Sequence, residues 1–200
     1  MSISAHKFNG PKGIGALYIK TGVPVARLIS GGHQERTRRG GTTNVPSVVG
    51  FAEALSLTYE TLEEDVKRVV SLRDRFVDRV LKEIPYVRLN GPKDFSKRLP
   101  CNADFSFEYI EGESILFSLD LAGIAVSSGS ACSSGSLEPS HVLLALGVPE
   151  ELAHGSIRFT FGKENTVEEV DYTVDKLKEI VDRLRKMSPL FKLGGEVKEV

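Results

Sequence analysis

The sequence predicts an α/β chain in two unequal parts, and three observations carry that prediction. Beyond residue 60, short runs rich in β-branched and aromatic residues alternate with helical periodicities. A single helical pattern runs almost unbroken from Pro46 to Ile84. Ahead of it lies a segment of small residues and glycine turns whose sheet partners are not evident in the chain.

The elements follow in order. Met1 to Ala5 is small and partly alternating, and resembles an interior strand of a parallel sheet that leads into a loop at His6-Lys7. Gly10-Pro11-Lys12-Gly13 is a turn signal. Ile14 to Lys20 and Val25 to Ile29 read as extended. Residues 31–44, GGHQERTRRGGTTN, form a Gly- and Arg-rich loop. Pro46 suits a helix start, where its missing N–H costs nothing. Val66, Val69, Leu72, Phe76, Val80 and Ile84 then make one apolar stripe. So long a helix is expected to bend or to bridge two domains near Glu60 to Asp65.

Tyr86–Leu89, Asp104–Tyr109, Ile124–Val126 and Ile157–Phe161 read as strands. Glu111–Ala122, stopped by Gly123, and Pro139–Leu146, ended by Gly147, read as helices. Thr166-Val167-Glu168-Glu169 is a capping box. It opens a helix with Val167, Val170, Val174, Leu177, Val181 and Leu184 on one face. After Pro189 the pattern fades, and the tail is expected to fray.

Composition excludes several classes. The chain has 200 residues, 40% hydrophobic and 26% charged, which is ordinary for a globular protein. Its formal net charge of −1 gives no global field for holding a polyanion, so a dedicated nucleic-acid binder is not expected. No apolar run approaches a membrane span, and the first residues lack the apolar core of a signal peptide. Cys101 and Cys132 are the 2 cysteines, and no CxxC, HExxH or His/Cys cluster argues for a metal.

Four constellations carry chemistry. SSGSACSSGS, residues 127–136, is built of small residues and reads as a mobile loop with Cys132 near its centre. An exposed thiol beside positive charge becomes a nucleophile, although the same segment also reads as a linker with an incidental cysteine. Lys7, in Ser4-Ala5-His6-Lys7, suits a Schiff base if partly buried, and equally a solvated lysine near a chain end. Arg36 to Thr42 could hold a phosphate through backbone N–H groups, arginine and threonine, form a plain basic turn, or contact RNA. Arg158, between Ile157 and Phe159, is costly to bury without an anion, which a substrate carboxylate or an internal acid would supply.

SISAHKFNGPKGIGALY, GGHQERTRRGGTTNVP, EGES, SSGSACSSGSLEPSHVLLALG and GSIRFTFGKENT together resemble, in that order, the C-terminal half of a group I cysteine desulfurase. This is a pyridoxal-phosphate family of aminotransferase class V and fold type I. The resemblance covers nearly the whole chain. It implies that residues 1–62 are the end of the large parallel-sheet, cofactor-binding domain, and that 63–200 form a small α+β domain carrying the cysteine loop. It implies that Lys7 holds pyridoxal phosphate as a Schiff base, with Ser4 and His6 beside the cofactor phosphate. Thr42 would reach the phosphate of a partner subunit's cofactor, hence a homodimer. Arg158 would grip the substrate carboxylate. Cys132 would take sulfur from L-cysteine as a persulfide, leaving L-alanine, and would serve as a transient iron–sulfur ligand when it hands sulfur to a scaffold or thiolation protein.

A cytoplasmic enzyme without membrane or direct nucleic-acid contact is expected. His33 and Thr37 stand where glycine is common in the family, and Gly40 where serine is usual. They are read as tolerated variants. Members are about twice this long, so a fragment, or a split form whose N-terminal half is a separate chain, is expected. Three other readings accompany this one. They are a non-catalytic sulfur-carrier module presenting Cys132, an RNA-contacting module using Arg36 to Arg39, and a selenocysteine lyase. Cys101, ahead of a core-like strand, is read as structural.

Overall fold

The computed structural model describes residues 1–128 and 139–191. The chain divides into two compact units, Met1–Glu64 and Asp65–Val200, and the division falls inside one helix, α1 (Val45–Glu83). This helix is assigned without interruption over its 39 residues.

In the first unit, β1 (Ser2–Ser4) and β2 (Gly15–Leu17) form a two-stranded antiparallel sheet with Ile3 opposite Ala16. β1 was expected beside parallel strands. Here the turn after Phe8 brings the chain straight back, so its hydrogen-bonding edge is taken by β2. Val25–Ile29 forms no strand. Instead the Arg27 guanidinium donates to the carbonyls of Ile29, Gly31 and Gly32, which curls the segment on itself.

The second unit is a four-stranded antiparallel sheet in the order β3-β4-β6-β5, with helices. Its strands are β3 (Val87–Leu89), β4 (Asn102–Phe107), β5 (Ser127–Ser128) and β6 (Ser156–Thr160). α2 (Gly112–Leu121), α3 (His141–Ala145), α4 (Glu150–His154) and α5 (Val167–Met187) complete it. Gly123 and Gly147, both at positive φ, follow the ends of α2 and α3 as expected. The expected strand at Ile124–Val126 begins three residues later, at Ser127. The Ile124 N–H still bonds to Leu119 O at the end of α2, and the ladder begins only at Ser127. α4 escaped the sequence reading because five residues carry too little periodicity.

Strand alternation sorts the sheet into two faces. Ala103, Phe105 and Phe107 of β4 and Ile157 and Phe159 of β6 are buried with Leu72, Phe76, Val77 and Val80 of α1 and Val170, Val174, Leu177 and Val181 of α5. The helix stripes are therefore where the spacing put them, except that Val66 and Val167, at the outer ends, are exposed. The opposite face carries Asn102, Asp104, Ser106, Ser156, Arg158 and Thr160, paired in register across β4 and β6. This polar face carries Arg158, one of the residues singled out from the sequence.

α1 and α5 are also joined by charge. Arg75 grips Asp171 through two 2.7 Å bonds, and Arg79 bonds Glu83, Asp171 and Asp175. The Arg75 bond holds the Asp171 carboxyl below its ordinary range. The capping box is present in full. Thr166 Oγ1 accepts from Glu169 N at 3.2 Å, and Glu169 Oε2 accepts from Thr166 N at 3.1 Å. Thr166→Ala is expected to cost about 1 kcal/mol in urea unfolding.

Gly155 closes the turn from α4 into β6. A Cβ there would lie 2.4 Å from Phe107 O and 2.9 Å from Ile110 O. Both obstacles are backbone, and the Gly155 carbonyl accepts from Phe107 N. Gly155→Ala should therefore displace β6 from β4 and lower stability by about 3 kcal/mol, read as a fall in melting temperature.

Candidate active site

In the first unit the sequence places Lys7 on a turn that packing fixes tightly. Ala5 is fully buried and its N–H bonds to Ile14 O at 3.1 Å. Its carbonyl accepts from Gly10 N at 2.9 Å, closing a 3₁₀ turn over Ala5–Phe8. Asn9 leaves the turn in the left-handed region, which Asn tolerates well. The Phe8 ring meets Phe51 of α1 edge-on, at 5.2 Å between centroids.

Ser4, His6 and Lys7 are exposed on this anchored turn, so Lys7 lacks here the partial burial on which its reading as a Schiff-base lysine depends. Among the described residues, none of their side chains makes a hydrogen bond or ion pair. The turn thus offers an amine, a hydroxyl and an imidazole, all unspent among the described residues, on backbone hydrogen-bonded at the buried Ala5. That donor set fits a carbonyl-bearing phosphate ligand: the amine for Schiff-base chemistry, the hydroxyl and ring N–H for anionic oxygens.

Thr42 lies on a separate loop of the same unit, exposed and without a side-chain partner among the described residues. The loop is shaped by Gly40. It is buried, and a Cβ there would stand 2.7 Å from Ser30 O and 3.0 Å from Gly31 Cα. Serine would not fit this backbone unchanged, so Gly40 belongs to the local loop path as well as to tolerated variation. Glu35, Arg36 and Thr37 all have positive φ.

In the second unit, Arg158 is half-buried on the polar face of the sheet, directly opposite Asp104 of β4 and Ser127 of β5. Its Nε is buried without a hydrogen-bond partner, and it makes no ion pair among the described residues. Asp104 is held instead by Asn90, whose Nδ2 donates to Asp104 Oδ1 at 2.7 Å and to Ser106 Oγ at 2.9 Å. Burial pushes the Asp104 carboxyl up from its ordinary range, against the Asn90 bond and the charges of Arg158 and Arg98. Arg98 spends its fork on the carbonyls of Pro92 (2.7 Å) and Asn90 (2.6 Å). Asn90, Arg98, Asp104, Ser140, Leu143 and Arg158 line one groove.

The six residues singled out in the sequence are thus distributed as follows. Ser4, His6 and Lys7 share one turn, Thr42 is on a second loop, and Arg158 is in the other unit. Cys132 lies outside the described residues, as does most of the Ser/Gly segment. Cys101 is a partly buried free thiol beside β4. Sequence reasoning missed Asp104 and Asn90. Alternation in DFSFEY does put Asp104 on a polar face, but its register opposite Arg158 is a tertiary fact. Among the described residues there is no cluster of His, Cys, Asp and Glu suited to a metal, and no helix is long and apolar enough to cross a membrane.

Over 189 residues the chain is 55% identical to a protein named cysteine desulfurase IscS from Dictyoglomus turgidum, covering 94% of this chain and 48% of that protein. It is 52% identical over 190 residues to one of the same name from Methanosarcina thermophila, covering 95% and 46%. The chain spans about half the length of the curated relatives it matches.

Among solved structures, a NifS-like protein superposes with a TM-score of 0.79 at 40% identity, over 92% of this chain and 46% of that one. A NifS-like protein from Rickettsia africae gives 0.77 at 31%, over 90% and 47%. These likenesses carry the fold class, that of the pyridoxal-phosphate enzymes of fold type I. The aminotransferase class-V model matches residues 1–173. With most of its length inside that model, this chain belongs to the aminotransferase class-V family.

Proposed function

We propose that this chain is the C-terminal portion of a cysteine desulfurase, which removes sulfur from L-cysteine to give L-alanine and a persulfide on Cys132. The observation that carries this reading is the unspent Lys7 amine on a rigid turn, in a chain about half identical to proteins named cysteine desulfurase. Pyridoxal phosphate is the cofactor of this family, and when bound it supplies an electron sink.

The chain's own residues have separable tasks. Lys7 would hold the cofactor through its amine, and the same amine would move a proton at the substrate Cα. Ser4 and His6 donate to phosphate oxygens, and Thr42 donates to the phosphate held by a second subunit of a homodimer. Arg158 presents its free N–H groups to the substrate carboxylate. The Cys132 thiolate forms a bond to the substrate sulfur as the carbon–sulfur bond breaks, and a proton replaces sulfur on the carbon that becomes the alanine methyl.

The persulfide sulfur then passes to an iron–sulfur scaffold or thiolation protein in the cytoplasm. The remaining length of a complete enzyme is supplied by an N-terminal half. The decisive experiment loads the protein with pyridoxal phosphate in its complete assembly and supplies L-cysteine. Equal yields of L-alanine and protein-bound sulfur are expected. Cofactor binding without alanine would overturn the reading in favour of a sulfur-carrier module.

A further inference from the structure

The polar face of the second sheet carries a charge balance that the proposed chemistry leaves unexplained. Arg158 and Asp104 occupy directly opposed positions on β6 and β4, so their side chains rise from the same face. Opposite charges so placed usually close into an ion pair. Here they do not. Asp104 is tethered toward β3 by the buried Asn90, and the buried Nε of Arg158 has no partner among the described residues.

Arg98 is the other cation facing Asp104, and its two terminal nitrogens are committed to backbone carbonyls while its Nε is buried without a partner among the described residues. Two guanidinium groups face the one carboxylate, and Lys97 of the same groove is paired with Asp94, so a positive charge is left over on this face. Among the described residues of this groove, the guanidinium that makes no hydrogen bond is that of Arg158. That suits one singly charged carboxylate.

We propose that Asp104 is a positioning residue that sets the strength and selectivity with which Arg158 takes a monocarboxylate such as the substrate's. The proposal rests on the reading of Arg158 as the carboxylate-binding residue. Held off by Asn90, Asp104 attenuates the field of Arg158 without consuming its donors. Product can then leave, and a dicarboxylate gains nothing from excess positive charge. Removing the charge while keeping the shape should over-strengthen anion binding.

The test is calorimetric titration of L-alanine and of L-aspartate into the pyridoxal-phosphate holoenzyme, which needs no turnover. Asp104→Asn is expected to bind L-alanine about fivefold tighter and to gain more for L-aspartate. KM for L-cysteine should fall without a rise in kcat. Asp104→Glu, which keeps the charge, should return affinity toward the parent value, and Arg158→Gln should abolish binding in either background.

A merely structural Asp104 would give the opposite result, weaker binding of both ligands together with a lower melting temperature, and that would overturn the proposal. So would unchanged affinity, or absence of L-alanine binding to the parent holoenzyme. If the parent protein binds L-alanine yet makes none from L-cysteine, the desulfurase reading fails, while the affinities still decide the role of Asp104. Should Asp104→Asn not fold, NMR titration of the Asp104 carboxyl in Arg158→Gln decides. The midpoint should move upward when the cation is lost, and an unmoved midpoint overturns the proposal.

Discussion

Lys7→Ala is expected to abolish the visible absorption of bound pyridoxal phosphate and to lower alanine formation by on the order of a thousandfold or more. The reason is local. The turn over Ala5–Phe8 is fixed by the Ala5 hydrogen bonds and by Phe8 against Phe51, none of which involves the Lys7 side chain. Truncation therefore removes the amine without disturbing its mounting, and the melting temperature should hold. The paired Cys132→Ser chain should do the converse. It keeps the absorption band, because the amine is intact, but loses sulfur transfer, because a serine hydroxyl is far too weakly acidic and too poor a nucleophile toward sulfur to replace a thiolate. A Cys101→Ser chain should transfer sulfur normally. If Lys7→Ala retains the band, or Cys101→Ser rather than Cys132→Ser stops transfer, the assignments of amine and thiol fall.

The sequence made the elements legible wherever periodicity was long. α1 and α5 were readable from their apolar stripes, and the α5 start from Thr166 and Glu169, because these signals are local and repeat over several turns. β4 and β6 were readable from alternation. What stayed hidden depends on contacts distant in sequence. The half-hidden Val25–Ile29 segment is not a strand because one arginine, Arg27, finds three carbonyls.

Arg158 was recognisable as a buried cation between apolar neighbours. Arg73 and Arg185, each nearly inaccessible, were not. Arg185 donates to the carbonyls of Pro85, Tyr86 and Glu108, and backbone acceptors leave no mark in composition. The candidate site divides along the same line. Lys7, Ser4, His6, Thr42 and Cys132 sit in short contiguous motifs. Asp104 acquires meaning only through strand register, and Asn90 only through its hydrogen bonds to Asp104 and Ser106.

Phe76→Ala should be the most damaging core substitution, costing about 4 kcal/mol. Phe76 is fully buried at the meeting point of α1 and the apolar face of the sheet. Its ring lies 4.6 Å from Phe159 and 5.4 Å from Phe161 of the β6 segment, and 6.1 Å from Phe105 of β4. Truncation removes contacts to three other rings at once. Those rings cannot collapse into the space, because Phe105 and Phe159 are pinned by the β4–β6 ladder. The cost is therefore transfer plus an unrelaxed cavity. Against the 5–15 kcal/mol typical of a whole domain, about 4 kcal/mol is a large share of the total stability. Chemical denaturation followed by circular dichroism should show a lower midpoint with an unchanged slope. The Arg158 groove lies on the other face of the same sheet. L-alanine binding by the holoenzyme should therefore fail at the temperature where this core melts, below the parent value, and a variant that melts like the parent would show that the aromatic cluster does not hold the sheet to α1.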